Sequence, residues 1–456
     1  MQQFRRREKC AVIDLRSVQA LDWSGASLPI REAQFPAPFE QGVEYAAPAR
    51  GPWNIVHVGM LVPESHQIFV CAQGCLRGVV LTAAEMGATD RFSTIAVREN
   101  NVMEGDMEEL ILKGVEDVLR KLPYKPRAVL LFTSCIHHFI GCDLAYVYKK
   151  LREKFPDVDF TDCYMNPIMR KSKTPPDTKM RQQLYSLLHP VEQRAKAVNF
   201  LGNTSLTDEE SELVQMIPGA GYEIRDICSC HTYDEFQKMA ESSLNITYLP
   251  SARLGGDTLE KRLGQKHLYL PLSYDAGEIR SSLTRLAEEL KAPLPDFSKL
   301  EAKAEQALQE TKEALGDMEI SIDYTATPRP LGLARLLLSH GIWVSSVYAD
   351  SFTPEEQEDF YWLKEHFGNL QLYATVHPKM PRFARDKARE TREGLLAIGQ
   401  KAAYFTGTRH FVNLLEGGGL YGFGGICRLM ELMRESAREE KNTEAIIQVK
   451  GWGCCG

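Results

Sequence analysis

Short apolar runs alternate with longer helical patterns through most of this 456-residue chain. Arg127–Thr133 has the composition of a buried strand, and a helical pattern follows at Leu144–Lys154. Further strands are expected at 197–201, 223–227, 245–249, 268–270, 319–323, 343–348, 371–375 and 403–405. Strand–helix alternation is typical of parallel sheets with right-handed crossovers. The sequence therefore predicts an α/β fold of three Rossmann-like domains around a central cleft.

Two breaks in this alternation predict the domain boundaries. Residues 170–194 are rich in Lys, Pro and polar residues, which is typical of a linker. Residues 297–315 form a charged amphipathic pattern, with helical spacing of Leu300, Ala304, Ala307, Leu308, Thr311 and Leu315. We expect this helix to pack across domains before the third sheet begins. The predicted domains are residues 1–195, 196–315 and 316–456.

Composition excludes several classes of function. The net charge of −7 disfavours a general nucleic-acid or membrane-surface binder, and no apolar run approaches the roughly 20 residues of a spanning helix. The basic start, Arg5-Arg6-Arg7, is not followed by the apolar segment of a secretory signal. No G-x-G-x-x-G motif opens a helix after a first strand, which disfavours nicotinamide chemistry. We expect a cytoplasmic protein without nucleic-acid or membrane partners.

The eleven cysteines are the most informative residues for chemistry. In a long chain without a secretory signal, disulfides are a poor explanation for them. Several follow predicted strands, where ligands bind in open α/β sheets. Thiolates at helix N-termini can bind soft metals, whereas buried cysteines often only fill space. The candidate thiols, in three groups, are Cys71 and Cys75, Cys135 and Cys142, and Cys228 and Cys230.

Two cysteine loops resemble those of a known family. Gln73-Gly74-Cys75 matches a Gly-Cys turn, and Ser134-Cys135 through Ile140-Gly141-Cys142-Asp143 matches a second loop about 60 residues later. Between them, Asn101–Asp106 is similar to a Val-Phe-Gly-Gly segment, and Arg409–Phe411 followed by Tyr421–Gly425 resembles a histidine loop and a glycine-containing helix start. The family is that of nitrogenase component 1, which includes molybdenum–iron protein subunits, their cofactor-assembly scaffolds and dark-operative protochlorophyllide reductase subunits.

The resemblance implies an iron–sulfur reductase. Cys75 and Cys135 would ligate an interface cluster shared with a homologous subunit or a second copy of this chain. Electrons would come from an ATP-binding iron protein of the nitrogenase-reductase type. A second cluster or a substrate would lie in the cleft near Cys228, Cys230 and His410. The glycine-rich segment around Gly424 and Gly425 predicts close approach of the backbone, and its N–H groups and that of Gly74 are expected to contact a cofactor.

The departures from the family pattern leave alternatives open. The family's first interface cysteine has no counterpart at Ala49–Pro52, so Cys71 or Cys142 would substitute, and the cluster would be a 4Fe-4S cubane or a larger one. The cofactor cysteine is absent near Tyr248–Pro250, which favours a scaffold for cluster assembly as a second hypothesis. A third hypothesis is a cluster-free binding protein on the same fold. A zinc site at His137-His138 is a further alternative, and no role is predicted for Cys454-Cys455.

Overall fold

The computed structural model describes residues 25–40, 44, 54–169, 172–380 and 393–442. The basic N-terminal segment, Cys10 and the Cys454-Cys455 pair lie outside these residues. The strands are β1 Ser27–Pro29, β2 Ser65–Ala72, β3 Phe92–Val97, β4 Ala128–Ser134, β5 Asp159–Met165, β6 Ala195–Phe200, β7 Glu223–Asp226, β8 Ser242–Thr247, β9 Lys266–Tyr269, β10 Glu319–Asp323, β11 Val344–Tyr348, β12 Gln371–Tyr373, β13 Leu395–Ile398 and β14 His410–Val412.

Helices separate most of the strands. They are α1 Ile55–Met60, α2 Gln73–Glu85, α3 Glu99–Glu104, α4 Met107–Lys121, α5 Cys135–Phe139, α6 Leu144–Lys154, α7 Pro176–Leu184, α8 Glu212–Gly219, α9 Tyr233–Lys238, α10 Arg253–Leu263, α11 Ala276–Leu290, α12 Phe297–Leu315, α13 Pro330–Ser339, α14 Gln357–His366, α15 Gln400–Thr406 and α16 Gly422–Arg438. The amphipathic helix predicted at 297–315 is α12, and it packs along α16.

The strands form three sheets. Sheet I has the order β3-β2-β4-β5, sheet II the order β7-β6-β8-β9, and sheet III the order β1-β12-β11-β10-β13-β14. Every pairing is parallel except that of β1 with β12. This confirms the predicted α/β class with Rossmann-like parallel sheets. Because parallel strands share a direction, the loops after them gather at one edge of each sheet, its carboxyl edge.

Two details of the sequence prediction are wrong. Ser27–Pro29, assigned to the first domain, pairs with β12 in sheet III, and Ile30 is buried in the core around that sheet. Residues 403–405, expected to be a strand, lie within α15. The buried Asp323 carboxylate accepts the N–H of Ala402 at 2.6 Å and so favours a helix start there. The neighbouring strand of sheet III is β13, Leu395–Ile398, which ends just before α15 begins.

Sheet I separates two apolar layers. On β2, Phe69 and Cys71 face one layer with Phe132, whereas Ile68 and Val70 face the other. The Phe69 and Phe132 rings stack with centroids 4.1 Å apart. Such two-sided burial explains the nearly continuous apolar sequence of β2 and β4. It also holds the ends of β2 and β4, which the two cysteine loops follow, in fixed positions, because both strands are packed on both faces.

His66 on β2 should make the stability of the protein depend on pH. The ring is buried between the Tyr124 hydroxyl and Ser93 Oγ, each 2.8 Å away, and burial lowers the pKa of His66 to about 4. His66 therefore binds a proton more tightly in the unfolded chain than in the folded chain. As the pH falls from 6.5 to 4, the free energy of unfolding falls with it. Between pH 7 and 5 we expect a loss of about 2 kcal/mol from this residue. Urea unfolding at pH 7 and at pH 5 measures the free energy of unfolding. The parent should lose this stability at pH 5, and His66→Gln should lose less.

Candidate metal centre

Cys75 and Cys135 follow neighbouring strands of sheet I. Strand β2 pairs with β4 in parallel, and Val70 lies opposite Thr133. Cys75 lies in the first turn of α2, three residues after β2, and Cys135 is the first residue of α5, directly after β4. Adjacent strands in a sheet are roughly 4.8 Å apart. The fold therefore brings these two residues, 60 positions apart in sequence, to one place at the carboxyl edge.

Both thiols are accessible at this edge. Cys75 is exposed and Cys135 is half-buried, so neither is enclosed in an apolar core. Gly74 is exposed, and a Cβ atom there would meet open space. No side chain caps the N-terminus of α2, so its first N–H groups are available to donate to an external acceptor. Soft thiol donors with nearby backbone N–H groups are the surroundings that iron–sulfur clusters require.

Cys71 lies beneath this pair. Its side chain is fully buried with Phe69 and Phe132, and burial raises the pKa of the Cys71 thiol to about 12. The thiols of Cys75 and Cys135 raise the pKa of Cys71 further. Cys71 is thus close to the site, but it is a protonated thiol inside the core.

Cys142 has a protein partner of its own. The Glu108 carboxylate of α4 accepts a hydrogen bond from the thiol, and it accepts the backbone N–H of Asp143 at 2.6 Å. Burial, followed by this carboxylate, raises the pKa of Cys142 to about 12. Glu108 lies in the first turn of α4, and nothing in a single sequence indicates that its side chain reaches the next cysteine loop.

No three His, Cys, Asp or Glu side chains within the described ranges are grouped closely enough to hold a metal ion. The zinc alternative therefore has no support there. His137 is buried, and its Nδ1 atom accepts the backbone N–H of Ser134 at 3.1 Å. Its Nε2 atom has no hydrogen-bond partner among the described residues. At the carboxyl edge of sheet I, the described residues of one chain offer an accessible pair of thiols, Cys75 and Cys135.

Sequence comparison identifies the family. The model of the nitrogenase component 1 type oxidoreductases matches residues 55–442, which is most of the chain and includes both cysteine loops. The protein belongs to this family. No curated protein matches the sequence closely enough to count as a relative. Members of the nitrogenase component 1 family bind iron–sulfur clusters, are oligomeric and generally work with an ATP-dependent iron protein.

Solved structures give the same fold. The structure titled "Nitrogenase Cp1 at pH 6.5" aligns with a TM-score of 0.64 at 14% identity, over 88% of this chain and 94% of the other. "Nitrogenase Cp1 at pH 5" aligns with a TM-score of 0.55 at 13% identity, over 94% and 96% of the two chains. At such identities the likeness is one of fold.

None of the helices in the described part of the chain has the length and apolar character that a membrane span requires.

His410, which resembles the family's cofactor histidine in sequence, lies at the start of a strand. It begins β14, at the end of sheet III opposite the carboxyl edge, and its Nδ1–H donates to the Ser436 carbonyl at 3.0 Å. Ser436 is near the C-terminus of α16, which starts at the carboxyl edge and runs back across the sheet. The prediction that His410 faces the cleft with Cys228 and Cys230 has no support from these contacts, since the ring bonds α16. The sequence contains the histidine motif but does not show whether His410 begins or follows the strand.

Cys228 and Cys230 follow β7, and each thiol forms a hydrogen bond with a backbone carbonyl. The Cys228 thiol donates to the Asn203 carbonyl at 3.5 Å, and the Cys230 thiol donates to the Asp226 carbonyl at 3.4 Å. Burial raises the pKa of both thiols, that of Cys230 to about 11. Cys230 also lines a cavity of about 400 Å³ with Glu64 and Arg91, next to the start of β2. That position is at the opposite end of sheet I from Cys75 and Cys135.

Gly424 and Gly425 are close-packing positions. The N–H of Gly424 donates to the buried Glu212 carboxylate of α8 at 2.9 Å, and a Cβ atom on Gly424 would lie 2.0 Å from the Glu210 carbonyl oxygen. A Cβ atom on Gly425 would lie 2.8 Å from the backbone of Leu420. The prediction that these two glycines contact a cofactor is not supported, because protein atoms occupy the space and Glu212 takes the Gly424 N–H. Of the three glycines predicted to contact a cofactor, Gly74 remains a candidate.

The four candidate thiols of the two cysteine loops, Cys71, Cys75, Cys135 and Cys142, should differ in their effect on iron binding. Cys71→Ser and Cys142→Ser should retain most of the iron of the parent protein, because Cys71 points into the core and Cys142 is bonded to Glu108. Iron and sulfide analysis of anaerobically prepared protein measures this. Loss of iron in Cys71→Ser with an unchanged unfolding midpoint would show that Cys71 is a ligand.

Proposed function

We propose that this chain is a subunit of a nitrogenase-like iron–sulfur reductase. It would accept low-potential electrons from an ATP-dependent iron protein and pass them to a substrate or a second cluster between its domains. The observation that carries the proposal is the accessible thiol pair, Cys75 and Cys135, which follow adjacent strands in a member of this family. We expect the protein to be cytoplasmic.

The residues of the edge would hold and tune a cluster. When bound, an iron–sulfur cluster supplies one-electron transfer at a potential set by its surroundings. Cys75 and Cys135 would provide thiolates, and the positive end of α2 would stabilise them. The free N–H groups at the start of α2, including that of Gly74, would donate to sulfur and raise the potential. The packed strands beneath keep these donors in fixed positions.

Transfer from an iron protein tests this function. Iron-loaded chain is mixed anaerobically with the reduced ATP-dependent iron protein of the same source, and oxidation of the iron protein is followed by absorbance with and without ATP. We expect ATP-dependent oxidation with the parent chain and loss of it with Cys75→Ala. The absence of ATP-dependent transfer to the fully loaded parent would contradict the proposed reductase.

A scaffold for cluster assembly is the second candidate, and one observation favours it. The position of the family's cofactor cysteine falls near Tyr248, which is buried, bonds Thr207 Oγ1 at 3.1 Å and packs against the Tyr421 ring at 5.4 Å. Protein side chains therefore fill the place where a cofactor thiolate would stand. A scaffold should release its cluster to a cluster-free acceptor protein, measured by iron appearing in that acceptor, and should give no turnover.

A further inference from the structure

We infer that a groove between α12 and α13 binds an organic cation, an amine that carries an alkyl or aryl body. The groove is a cavity of about 380 Å³. Its walls come from α12 and α13, from the start of α11, and from α14 and α16. None of the residues that line it belongs to sheet I, so the inference goes beyond the proposed function and does not depend on a cluster.

The floor of the cavity is apolar. Ala304 and Leu308 of α12 and Phe423 and Ile426 of α16 line it, and all four side chains belong to the buried core around sheet III. Leu336 of α13 lines it as well. An apolar cavity of about 150 Å³ in a protein stays dry and binds a molecule as large as benzene. The larger cavity here therefore has room for an apolar group of at least that size.

One wall of the cavity is an aromatic ring that protein contacts hold in place. Trp362 of α14 lines the cavity, and the Arg335 guanidinium lies over its ring, 5.0 Å from the centroid. The His366 ring stacks on the same indole with centroids 4.6 Å apart. These contacts fix the orientation of the indole before a ligand binds, which reduces the entropy that binding costs.

Carboxylates predominate at the rim. Glu301 and Glu305 lie one helical turn apart on α12, and Asp275 precedes α11. Glu301 pairs with Arg280 at 2.9 Å, and Glu305 pairs with the His340 ring at 3.1 Å. Among the described residues, Asp275 forms no ion pair with Lys or Arg. The rim thus carries negative charge that the protein only partly neutralises.

The positive charge in the lining is already engaged by the protein. Arg335 is the one Lys or Arg among the residues that line the cavity, and it pairs with the Asp359 carboxylate at 3.1 Å. The same carboxylate also pairs with Arg329 at 2.9 Å. Four carboxylates against one guanidinium give the lining an excess of negative charge, which attracts a cation and repels an anion.

An amine with an apolar body matches both parts of the cavity. Its body would cover Leu308 and Phe423, and its ammonium group would donate charge-assisted hydrogen bonds to Glu301 and Glu305. An alcohol of the same length would keep the apolar contacts and lose the charge attraction. A carboxylate of the same length would face like charges at the rim.

Three ligands with the same apolar chain test the inference. Hexylamine, hexanol and hexanoate differ in charge at neutral pH, and their binding to the full-length protein is measured by saturation-transfer nuclear magnetic resonance titrations. We expect hexylamine to bind with a Kd of about 1 mM. Hexanol and hexanoate should each bind at least about tenfold more weakly.

Variants separate the charged rim from the apolar floor. In Glu301→Gln/Glu305→Gln, hexylamine should bind as weakly as hexanol, because the charge attraction is lost and the floor is unchanged. Leu336→Trp fills the apolar space and should reduce the affinity for both ligands at least about tenfold. Glu313→Gln is the matched control, since Glu313 is exposed on the same helix, does not line the cavity, and should bind hexylamine as the parent does.

Several results would overturn the inference. They are the absence of hexylamine binding to the parent, equal affinities for hexylamine and hexanol, and hexanoate binding as tightly as hexylamine. An unchanged preference for hexylamine in Glu301→Gln/Glu305→Gln would overturn it too. That variant changes two partly exposed side chains, which are 30% and 65% exposed, so it decides the question even if Leu336→Trp does not fold.

Discussion

Cys75→Ala and Cys135→Ala should each lower the iron and sulfide content of the anaerobically purified protein at least about tenfold. Each substitution removes one of the two thiols that the described residues leave open at the carboxyl edge of sheet I, since Cys71 is fully buried and the Cys142 thiol bonds Glu108. The electron paramagnetic resonance signal of the reduced protein should disappear with the iron. The fold should remain intact, because Cys75 is exposed and Cys135 is half-buried at the start of a helix.

Cys163→Ala is the matched control for these variants. Cys163 lies on β5 of the same sheet, but its side chain is fully buried in the apolar core. Its loss should reduce the free energy of unfolding by about 1 kcal/mol, as a small cavity does, and leave the iron content unchanged. Equal iron and unchanged spectra in the parent, Cys75→Ala and Cys135→Ala would show that neither thiol is a ligand.

Gly424→Ala should destabilise the protein by about 3 kcal/mol or more. The added Cβ atom would lie 2.0 Å from the Glu210 carbonyl oxygen, which is backbone and cannot rotate away. Relief of this overlap would pull α16 from the loop before α8 and stretch the bond from the Gly424 N–H to Glu212. The midpoint of urea unfolding measures the effect.

Gly219→Ala is the matched control for that substitution. Gly219 is also helical, is exposed at the end of α8, and a Cβ atom there would meet open space. Alanine at this position should leave stability unchanged or increase it by about 0.5 to 1 kcal/mol. If Gly424→Ala unfolds at the same urea concentration as the parent, α16 does not pack this closely against the loop before α8.

The sequence was sufficient for the class of fold and for the placement of Cys75 and Cys135 after strands, because both depend on local patterns. Alternating apolar runs predict parallel strands, and a cysteine directly after such a run lies at the carboxyl edge. The pairing of β2 with β4 then brings Cys75 near Cys135, as the family resemblance implied.

The remaining assignments depended on tertiary structure. His410 resembles a cofactor histidine in sequence, but it begins β14 instead of following it, and only the sheet register shows this. Gly424 is in a glycine-rich segment that suggests ligand binding, yet the carbonyl of Glu210 fills the space. Whether Cys142 is free depends on Glu108, which comes from a separate helix. Such partners are distant in sequence and have no signature in a single chain.

The position of iron in an anaerobic crystal tests the central claim most directly. Anomalous scattering at the iron edge should give a peak at the carboxyl edge of sheet I, in bonding contact with Sγ of Cys75 and Sγ of Cys135. Iron bound at Cys228 and Cys230 instead, or a crystal of active protein without iron at the Cys75 and Cys135 thiols, would contradict the assignment.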